Sequence, residues 1–275
     1  MTAWQQSSLP ATLDPPLDRA AYGPTMAEFH GQQGCGAMPG ENDDHSFEVA
    51  CTFGDRAAAR SIVLVGDSEA DMWLPTLDIW GQREHWRVIR LVKNACDPWD
   101  DHISYWPSCA RWKQFVVKKI NQLKVHAVVA VGMEIDLQAA PAHVTPARLA
   151  SQIRRFQSDI LASHSRLILL ENIPWFYRNL SPLVCLAYHR ADIRVCNHHP
   201  ASSLLAPSMS MALRAVAMDK RVRFVNVKSL FCSPRACPEV VGSRVVYADT
   251  HHFTTQWAFF IAKAFSAHFD RALAT

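Results

Sequence analysis

The sequence predicts an α/β fold: three layers, with helices on both faces of a doubly wound, mostly parallel five-stranded sheet. Short apolar runs rich in β-branched residues alternate with segments of helical periodicity from residue 61 onward. Their spacing favours parallel strands joined by crossover helices. With 275 residues and 49% hydrophobic content, the chain is long enough to bury a sizeable core.

The first predicted strand, residues 61–65, is a serine followed by four apolar residues, and it breaks at Gly66. Comparable runs predict the other four strands at residues 88–92, 127–131, 166–170 and 222–227. Helical patterns separate the strands at residues 72–84, 110–123, 146–164, 202–218 and 255–271.

Two local signals refine the helices. Thr145 followed by Pro146 is a typical helix start, with threonine as the cap and proline in the first turn. In the last helix, a stripe at helical spacing predicts a core-facing side and no cofactor site; it comprises Trp257, Phe260, Ile261, Ala264, Phe265 and Phe269.

The chain divides at residue 35. Residues 1–34 hold Pro10, Pro15, Pro16 and Pro24 with little periodicity, which predicts an extended N-terminal arm or linker. Residues 35–275 then form the main domain. The irregular stretches 93–108 and 172–201 follow strands, so we expect them at the functional edge of the sheet.

Bulk charge excludes some partners. The net charge of +3 is too small to favour binding to nucleic acid or to an anionic membrane surface. No apolar run approaches the roughly 20 residues of a membrane span. The N-terminus has neither the basic start nor the apolar segment of a signal peptide.

The eight cysteines form four pairs of near neighbours, separated by 16, 13, 11 and 5 residues. No CxxC motif is present, which disfavours a zinc knuckle. Nearest-neighbour disulfides are the leading hypothesis, and reduced buried thiols are the alternative. Disulfides imply an oxidising compartment, so we expect an extracytoplasmic domain tethered to a membrane protein outside this chain. The cysteines are Cys35, Cys51, Cys96, Cys109, Cys185, Cys196, Cys232 and Cys237.

Three distant residues predict acyl-transfer chemistry. Ser68 follows Gly66 and Asp67 at the end of the first strand, where ligands gather in open α/β sheets. Asp249 and His252 precede the last helix, and Thr254 is expected to cap it. Serine, acid and histidine can serve as nucleophile, orienter and base. A plain turn at Ser68 is the competing interpretation.

Four other histidines are candidates for alternative roles. His251 is a competing base beside His252. His189, His198 and His199 could in principle bind a metal, but no acid or cysteine completes a convincing ligand spacing. We therefore predict no metal site and no cofactor.

These motifs resemble the SGNH hydrolase family, and residues 35–265 resemble the SGNH domains fused to acyltransferase-3 membrane proteins. The resemblance rests on several spaced motifs in the right order. They are Cys51-Thr-Phe-Gly54-Asp55, Gly66-Asp67-Ser68, Trp73-Leu74-Pro75, Lys93-Asn94-Ala95-Cys96, Cys109-Ala-Arg-Trp112, Cys232 with Cys237-Pro238, and Tyr247-Ala-Asp249-Thr-His251-His252.

The resemblance implies a flavodoxin-like SGNH hydrolase fold and a catalytic triad of Ser68, Asp249 and His252. It also implies an oxyanion hole from the backbone amide of Ser68 and from Asn94. Two positions depart from the family. Glu69 stands where a histidine usually follows the serine, and Gly132-Met133-Glu134 lacks the family asparagine.

The function expected from these features is an extracytoplasmic serine O-acyltransferase or esterase. It would move an acyl group, with acetyl favoured, to or from hydroxyls of a cell-envelope carbohydrate. A membrane acyltransferase-3 domain or protein would supply the acyl group. The alternatives are a weakly active or inactive carbohydrate-binding domain of the same fold and a metal-dependent hydrolase using the histidine-rich loops.

Overall fold

The computed structural model describes residues 6–35, 51–99, 108–132, 145–160, 165–174, 181–200 and 206–274. Within these ranges the predicted α/β architecture is confirmed: a mostly parallel sheet lies between two layers of helices. No helix in these ranges is both long and apolar enough to cross a membrane.

The described residues form a six-stranded sheet, so the predicted count of five was wrong. The added strand is a four-residue edge strand that pairs antiparallel with its neighbour, and it is too short to give a clear pattern. The strands are β1 (Cys51–Gly54), β2 (Ser61–Gly66), β3 (Arg87–Val92), β4 (Ala127–Val131), β5 (Arg166–Leu170) and β6 (Val222–Val225), in the spatial order β1-β3-β2-β4-β5-β6.

Five helices match the predicted positions, and three further helices, at residues 22–32, 68–71 and 182–188, were not predicted. A short helix, Pro182–Tyr188, lies in a stretch predicted to be irregular. Thr145 receives a hydrogen bond at its Oγ1 from the backbone N–H of Arg148 (3.2 Å), as its predicted capping role requires. The helices are α1 (Tyr22–Gln32), α2 (Ser68–Asp71), α3 (Leu74–Glu84), α4 (Ser108–Leu123), α5 (Pro146–Ile160), α6 (Pro182–Tyr188), α7 (Ala206–Val216) and α8 (Thr255–Ala274). A two-stranded hairpin, β7 (Val240–Val241) and β8 (Arg244–Val245), precedes α8.

Alternation along β2 divides the core into two layers. Ile62 and Leu64 face the layer that contains α3 and α8, and Val63 and Val65 face the layer that contains α4 and α5. All four side chains are fully buried, as expected for a central strand covered on both faces.

The predicted apolar stripe of α8 is partly wrong. Four of its members are buried, but Phe260 is 48% exposed and Ala264 is also exposed. The guanidinium of Arg244 lies over the Phe260 ring at 4.6 Å, so a cation–π contact covers part of this ring. The buried members are Trp257, Ile261, Phe265 and Phe269.

Residues 22–32 differ from the predicted extended arm. They form α1, whose residues Met26 and Phe29 are buried against the core. The Phe29 ring stacks on that of Phe53 in β1, with centroids 5.7 Å apart. A disulfide between Cys35 and Cys51 joins the end of α1 to the start of β1. The N-terminal segment is therefore part of the packed domain at these residues.

Four disulfides are present, and each joins the cysteines that are nearest neighbours in the sequence. The Cα–Cα distances lie between 4.1 and 5.8 Å. The pairs are Cys35–Cys51, Cys96–Cys109, Cys185–Cys196 and Cys232–Cys237.

A buried charged cluster connects α1, α2 and β3. Arg90 Nε donates to Asp71 Oδ1 at 2.7 Å, and His30 Nε2 lies 3.3 Å from Asp71 Oδ2. Burial opposes ionisation of Asp71, but the charge of Arg90 and the contact with His30 lower the pKa of this carboxyl below 3.8. The carboxylate therefore stays charged inside the protein because it is paired with the Arg90 guanidinium and contacts His30.

Replacing Asp71 with asparagine should destabilise the protein by about 3–5 kcal/mol, because the buried guanidinium of Arg90 would lose its counter-charge. Urea unfolding measures the change. Asp192→Asn is the control, since its ion pair with Arg194 is exposed, and we expect no measurable loss there. Equal stability of Asp71→Asn and the wild type would contradict this account of the cluster.

Candidate active site

The site lies where the winding of the sheet reverses. From β2 the chain adds β3 on one side and then β4 on the other, so the carboxyl ends of β2 and β4 frame a crevice. Gly66 ends β2 with φ +149°, and a Cβ there would overlap the carbonyl oxygen of Val131 and approach Ala70 Cβ to 2.7 Å. Only glycine fits this close passage.

Ser68 begins α2 directly after this turn. Asp67 is the N-cap, and its Oδ1 accepts a hydrogen bond from the Glu69 N–H at 2.8 Å. Asp67 therefore stabilises the turn, the role expected of an acid at this position. Ser68 is buried, with 6% of its surface exposed.

Asp249 and His252 occupy a compact loop before α8. Asp249 Oδ1 accepts hydrogen bonds from the backbone N–H groups of His251 (2.9 Å) and His252 (2.8 Å). Its other oxygen, Oδ2, lies 2.8 Å from His252 Nδ1. The loop is anchored by the buried side chains of Tyr247 and Phe253 on either side.

The start of α8 fixes the far end of this loop. Thr254 Oγ1 accepts a hydrogen bond from the Trp257 N–H at 3.1 Å, which is the predicted cap. The Thr254 hydroxyl itself donates to the carbonyl of Val245 in β8 at 2.6 Å. An aromatic contact adds to this, because the edge of Phe253 meets Trp73 with centroids 4.9 Å apart.

Electrostatics keep the acid of this pair charged. Burial would raise the pKa of Asp249, but the hydrogen bond and charge of His252, with a smaller effect of His251, lower it from 3.8 to about 2. Burial and the neighbouring His252 lower the pKa of His251 to about 4. His251 is therefore neutral near pH 7, and it contacts Asp249, Thr250 and the ring of His252.

The hydrogen bond to Asp249 decides which nitrogen of His252 is basic. An ionised carboxylate only accepts hydrogen bonds, so neutral His252 carries its proton on Nδ1 and has its lone pair on Nε2. Nε2 is buried and has no hydrogen-bond partner among the described residues. The Ser68 hydroxyl thus does not donate to it in this conformation.

One side chain contacts both Ser68 and His252. The Tyr22 hydroxyl, from the first residue of α1, donates to the backbone carbonyl of Ser68 at 3.0 Å. The Tyr22 ring stacks on the His252 imidazole, with centroids 3.9 Å apart and planes 8° from parallel. Serine and histidine, 184 positions apart in the sequence, therefore meet at a single phenol ring.

The predicted oxyanion donors are the backbone amide of Ser68 and the side chain of Asn94. Asn94 is half-buried in the turn after β3, two residues beyond Val92, which pairs with Gly66. Lys93 N–H donates to the Gly66 carbonyl at 3.0 Å, so this turn adjoins the Ser68 turn. Glu134 lies outside the described residues.

Two features near this edge were not foreseen from the sequence. Glu69, where the family has histidine, is fully buried next to Ser68. Asn172, just after β5, donates from Nδ2 to the carbonyl of Gly132 at 3.0 Å and ties the ends of β4 and β5 together. The sequence gives no signal for this contact, because the two residues lie 40 positions apart.

The histidines proposed as alternative metal ligands do not converge among the described residues. His198 instead pairs with buried Glu239 (Nε2 to Oε1, 2.9 Å). Burial raises the pKa of Glu239 to about 7, against the opposing effect of His198.

Within the described ranges, Asp249, His251 and His252 form the one group whose ligand atoms lie close enough for a metal, within 4.8 Å of one another.

A comparison with protein families agrees with this geometry. Residues 35–267 match the family described as the SGNH domain fused to AT3 domains. The chain belongs to that family. Its members' chemistry is acyl transfer or ester hydrolysis in general. No curated protein matches the sequence.

One solved structure shows the same fold. The periplasmic domain of a lipopolysaccharide acetyltransferase from Salmonella ser. Paratyphi A aligns with a TM-score of 0.60 and 12% identity, covering 91% of this chain and 97% of that one. A putative acylhydrolase from Bacteroides fragilis NCTC 9343 aligns with a TM-score of 0.49 and 14% identity, covering 89% and 95% of the two chains. At 12% identity the likeness to the Salmonella domain establishes the fold alone.

Replacing His252 with alanine should raise the pKa of Asp249 from about 2, because burial remains after the hydrogen bond and the charge of His252 are lost. Titration of the Asp249 carboxyl carbon by NMR measures this shift. In the wild type, the stability gained from this ionised carboxylate is present above pH 3.8 and is lost as pH falls through about 2. His189→Ala, outside the site, should leave the titration unchanged. An unchanged midpoint in His252→Ala would show that the pair does not set the charge of Asp249.

Proposed function

We propose that this chain is a serine-dependent O-acyltransferase or esterase domain. It moves an acyl group, with acetyl favoured, to or from hydroxyls of a cell-envelope carbohydrate through an acyl-Ser68 intermediate. The observation that carries the proposal is the Asp249–His252 hydrogen bond together with the Tyr22 side chain, which contacts both the His252 ring and the turn that bears Ser68. His252 Nε2 is buried and has no hydrogen-bond partner among the described residues.

The roles follow from hydrogen-bonding capacity. Ser68 Oγ attacks the carbonyl carbon of the acyl donor while its proton passes to His252 Nε2. This attack forms a tetrahedral oxyanion. Asp249 stabilises the resulting imidazolium. The oxyanion collapses, the bond to the leaving oxygen breaks, and that oxygen takes the proton from Nε2. A sugar hydroxyl, or water in the esterase reaction, then attacks acyl-Ser68 by the same route in reverse.

This reaction sequence requires Ser68 Oγ to come within hydrogen-bond reach of His252 Nε2. Hydrogen bonds between nucleophile and base are commonly long or unformed before substrate binds, and rotation about the serine Cα–Cβ bond moves the hydroxyl without disturbing the turn. The backbone amide of Ser68 and the side chain of Asn94 are the proposed oxyanion donors. Donors of this kind contribute roughly 3 kcal/mol each in other hydrolases.

The carbohydrate acceptor is proposed from relatives. The family is described as fused to AT3 domains, and the structural neighbour with the higher TM-score is named a lipopolysaccharide acetyltransferase periplasmic domain. A membrane AT3 domain or protein is accordingly the proposed acyl supplier. The four disulfides support an extracytoplasmic location, because disulfides persist in oxidising compartments.

A second candidate is a carbohydrate-binding domain that keeps the fold without catalysis. Two departures favour it: Glu69 replaces the family histidine, and the family asparagine after β4 is absent from the sequence. A binding domain would retain sugar affinity after loss of the Ser68 hydroxyl and would form no acyl adduct.

Ser68→Ala should lower the rate of hydrolysis of a small activated acetyl ester by a factor on the order of 10³ or more, because no other group replaces the nucleophile. The rate of ester hydrolysis is measured by absorbance or with a stopped assay. Ser243→Ala is the matched control, since Ser243 is an exposed serine on the hairpin turn. Equal rates for wild type and Ser68→Ala would remove the assignment, and sugar binding that persists in both would favour the second candidate.

A further inference from the structure

We propose that Tyr22 is a positioning residue of this site: its ring holds the imidazole plane of His252, and its hydroxyl holds the turn that carries Ser68. This inference rests on the proposed function. Tyr22 lies outside residues 35–267, the part of the chain that the family description covers.

The contacts of Tyr22 are arranged for this role. A stacked ring 3.9 Å away and 8° from parallel restricts rotation of the His252 imidazole about its Cβ–Cγ bond. The hydrogen bond to Asp249 at Nδ1 fixes the tautomer, but a single hydrogen bond still allows the ring to tilt. The two contacts together define where the Nε2 lone pair points.

The hydroxyl of Tyr22 acts on the other partner. It donates to the Ser68 carbonyl at 3.0 Å, and the same carbonyl accepts the N–H of Met72 at 3.1 Å. Loss of hydration and the negative charge of Asp71 raise the pKa of Tyr22 well above 10, so the phenol keeps its proton and remains a donor. Both ends of the proposed proton path are thus tied to one rigid side chain.

The helix that carries Tyr22 is held at several independent points. Phe29 stacks on Phe53, and His30 contacts Asp71. The Thr255 hydroxyl lies 3.6 Å from Met26 Sδ, which joins α1 to the start of α8. The Cys35–Cys51 disulfide then anchors the chain just beyond α1. Because α1 is held at these points, the Tyr22 side chain has a well-defined position. A residue that positions a catalytic group requires this.

The alternative is that Tyr22 only covers the site. A cover would exclude water or block entry, and its removal would leave the rate unchanged or raise it. A positioning residue instead affects the chemical step: its loss lowers kcat and leaves KM for a small ester nearly unchanged. The two roles therefore predict different results: loss of a positioning residue lowers kcat, and loss of a cover does not.

The test compares Tyr22→Phe and Tyr22→Leu in the full chain, with hydrolysis of a small activated acetyl ester as the readout. Tyr22→Leu, which removes stacking and hydroxyl, should lower kcat about 10- to 100-fold. Tyr22→Phe keeps the stacked ring and should lower kcat only about 3- to 10-fold. KM should change less than about twofold in both. Tyr188→Phe and Tyr188→Leu are matched controls, because Tyr188 is 79% exposed.

A spectroscopic signature separates positioning from general damage to the fold. A ring stacked on the imidazole shifts the carbon-bound proton resonances of His252 upfield in the wild type and in Tyr22→Phe. Tyr22→Leu should lose this shift while keeping a cooperative unfolding transition. If Tyr22→Leu does not fold, the smaller loss of kcat in Tyr22→Phe, with KM unchanged, still supports the proposal.

Two failures are distinguishable. If the wild type hydrolyses the ester through Ser68 and Tyr22→Phe and Tyr22→Leu are as fast or faster, the positioning role is wrong and the proposed function stands. If the wild type shows no Ser68-dependent hydrolysis, the proposed function is wrong and the positioning role falls with it.

Discussion

The close passage of Gly66 beside Val131 is the constraint on which this site depends. Because residue 66 has no Cβ, β2 lies against β4 up to its last residue and the chain then turns sharply into α2. Ser68 is placed at the carboxyl edge of the sheet by this turn, at the point where the winding reverses. A larger residue at this position would push the serine away from the crevice.

The other half of the site comes from a different part of the fold. The Asp249–His252 loop is held by hydrogen bonds to the Asp249 carboxylate and by Thr254 at the start of α8. The aromatic contact between Phe253 and Trp73 then joins this loop to the segment that follows α2. The Asp249–His252 pair thus lies on an apolar support, which keeps its geometry fixed while Asp249 retains its hydrogen-bond partners.

The sequence predicts the parts of this protein that depend on local pattern. The core strands such as residues 127–131, the cap at Thr145 and the nearest-neighbour cysteine pairs all have short-range signals. β1 has only four residues, and α1 contains Gly23 and Pro24 in its first turn, so neither gives a clear period.

The contacts of Tyr22 have no sequence signal at all. The hydrogen bond to Ser68 spans 46 positions, and the ring that stacks on His252 belongs to a segment with little periodicity. The same is true of Asn172, which reaches Gly132 from a neighbouring strand. Such contacts follow from how the layers pack, and packing is specified by the whole chain rather than by any one segment.

The most direct test of the central claim is covalent labelling with an alkyl fluorophosphonate, which reacts with serines activated by a general base, followed by peptide mapping. The account predicts one adduct, on Ser68, which forms in the wild type and is lost in His252→Ala. An adduct that forms at the same rate without His252, or that maps to another residue, would contradict it.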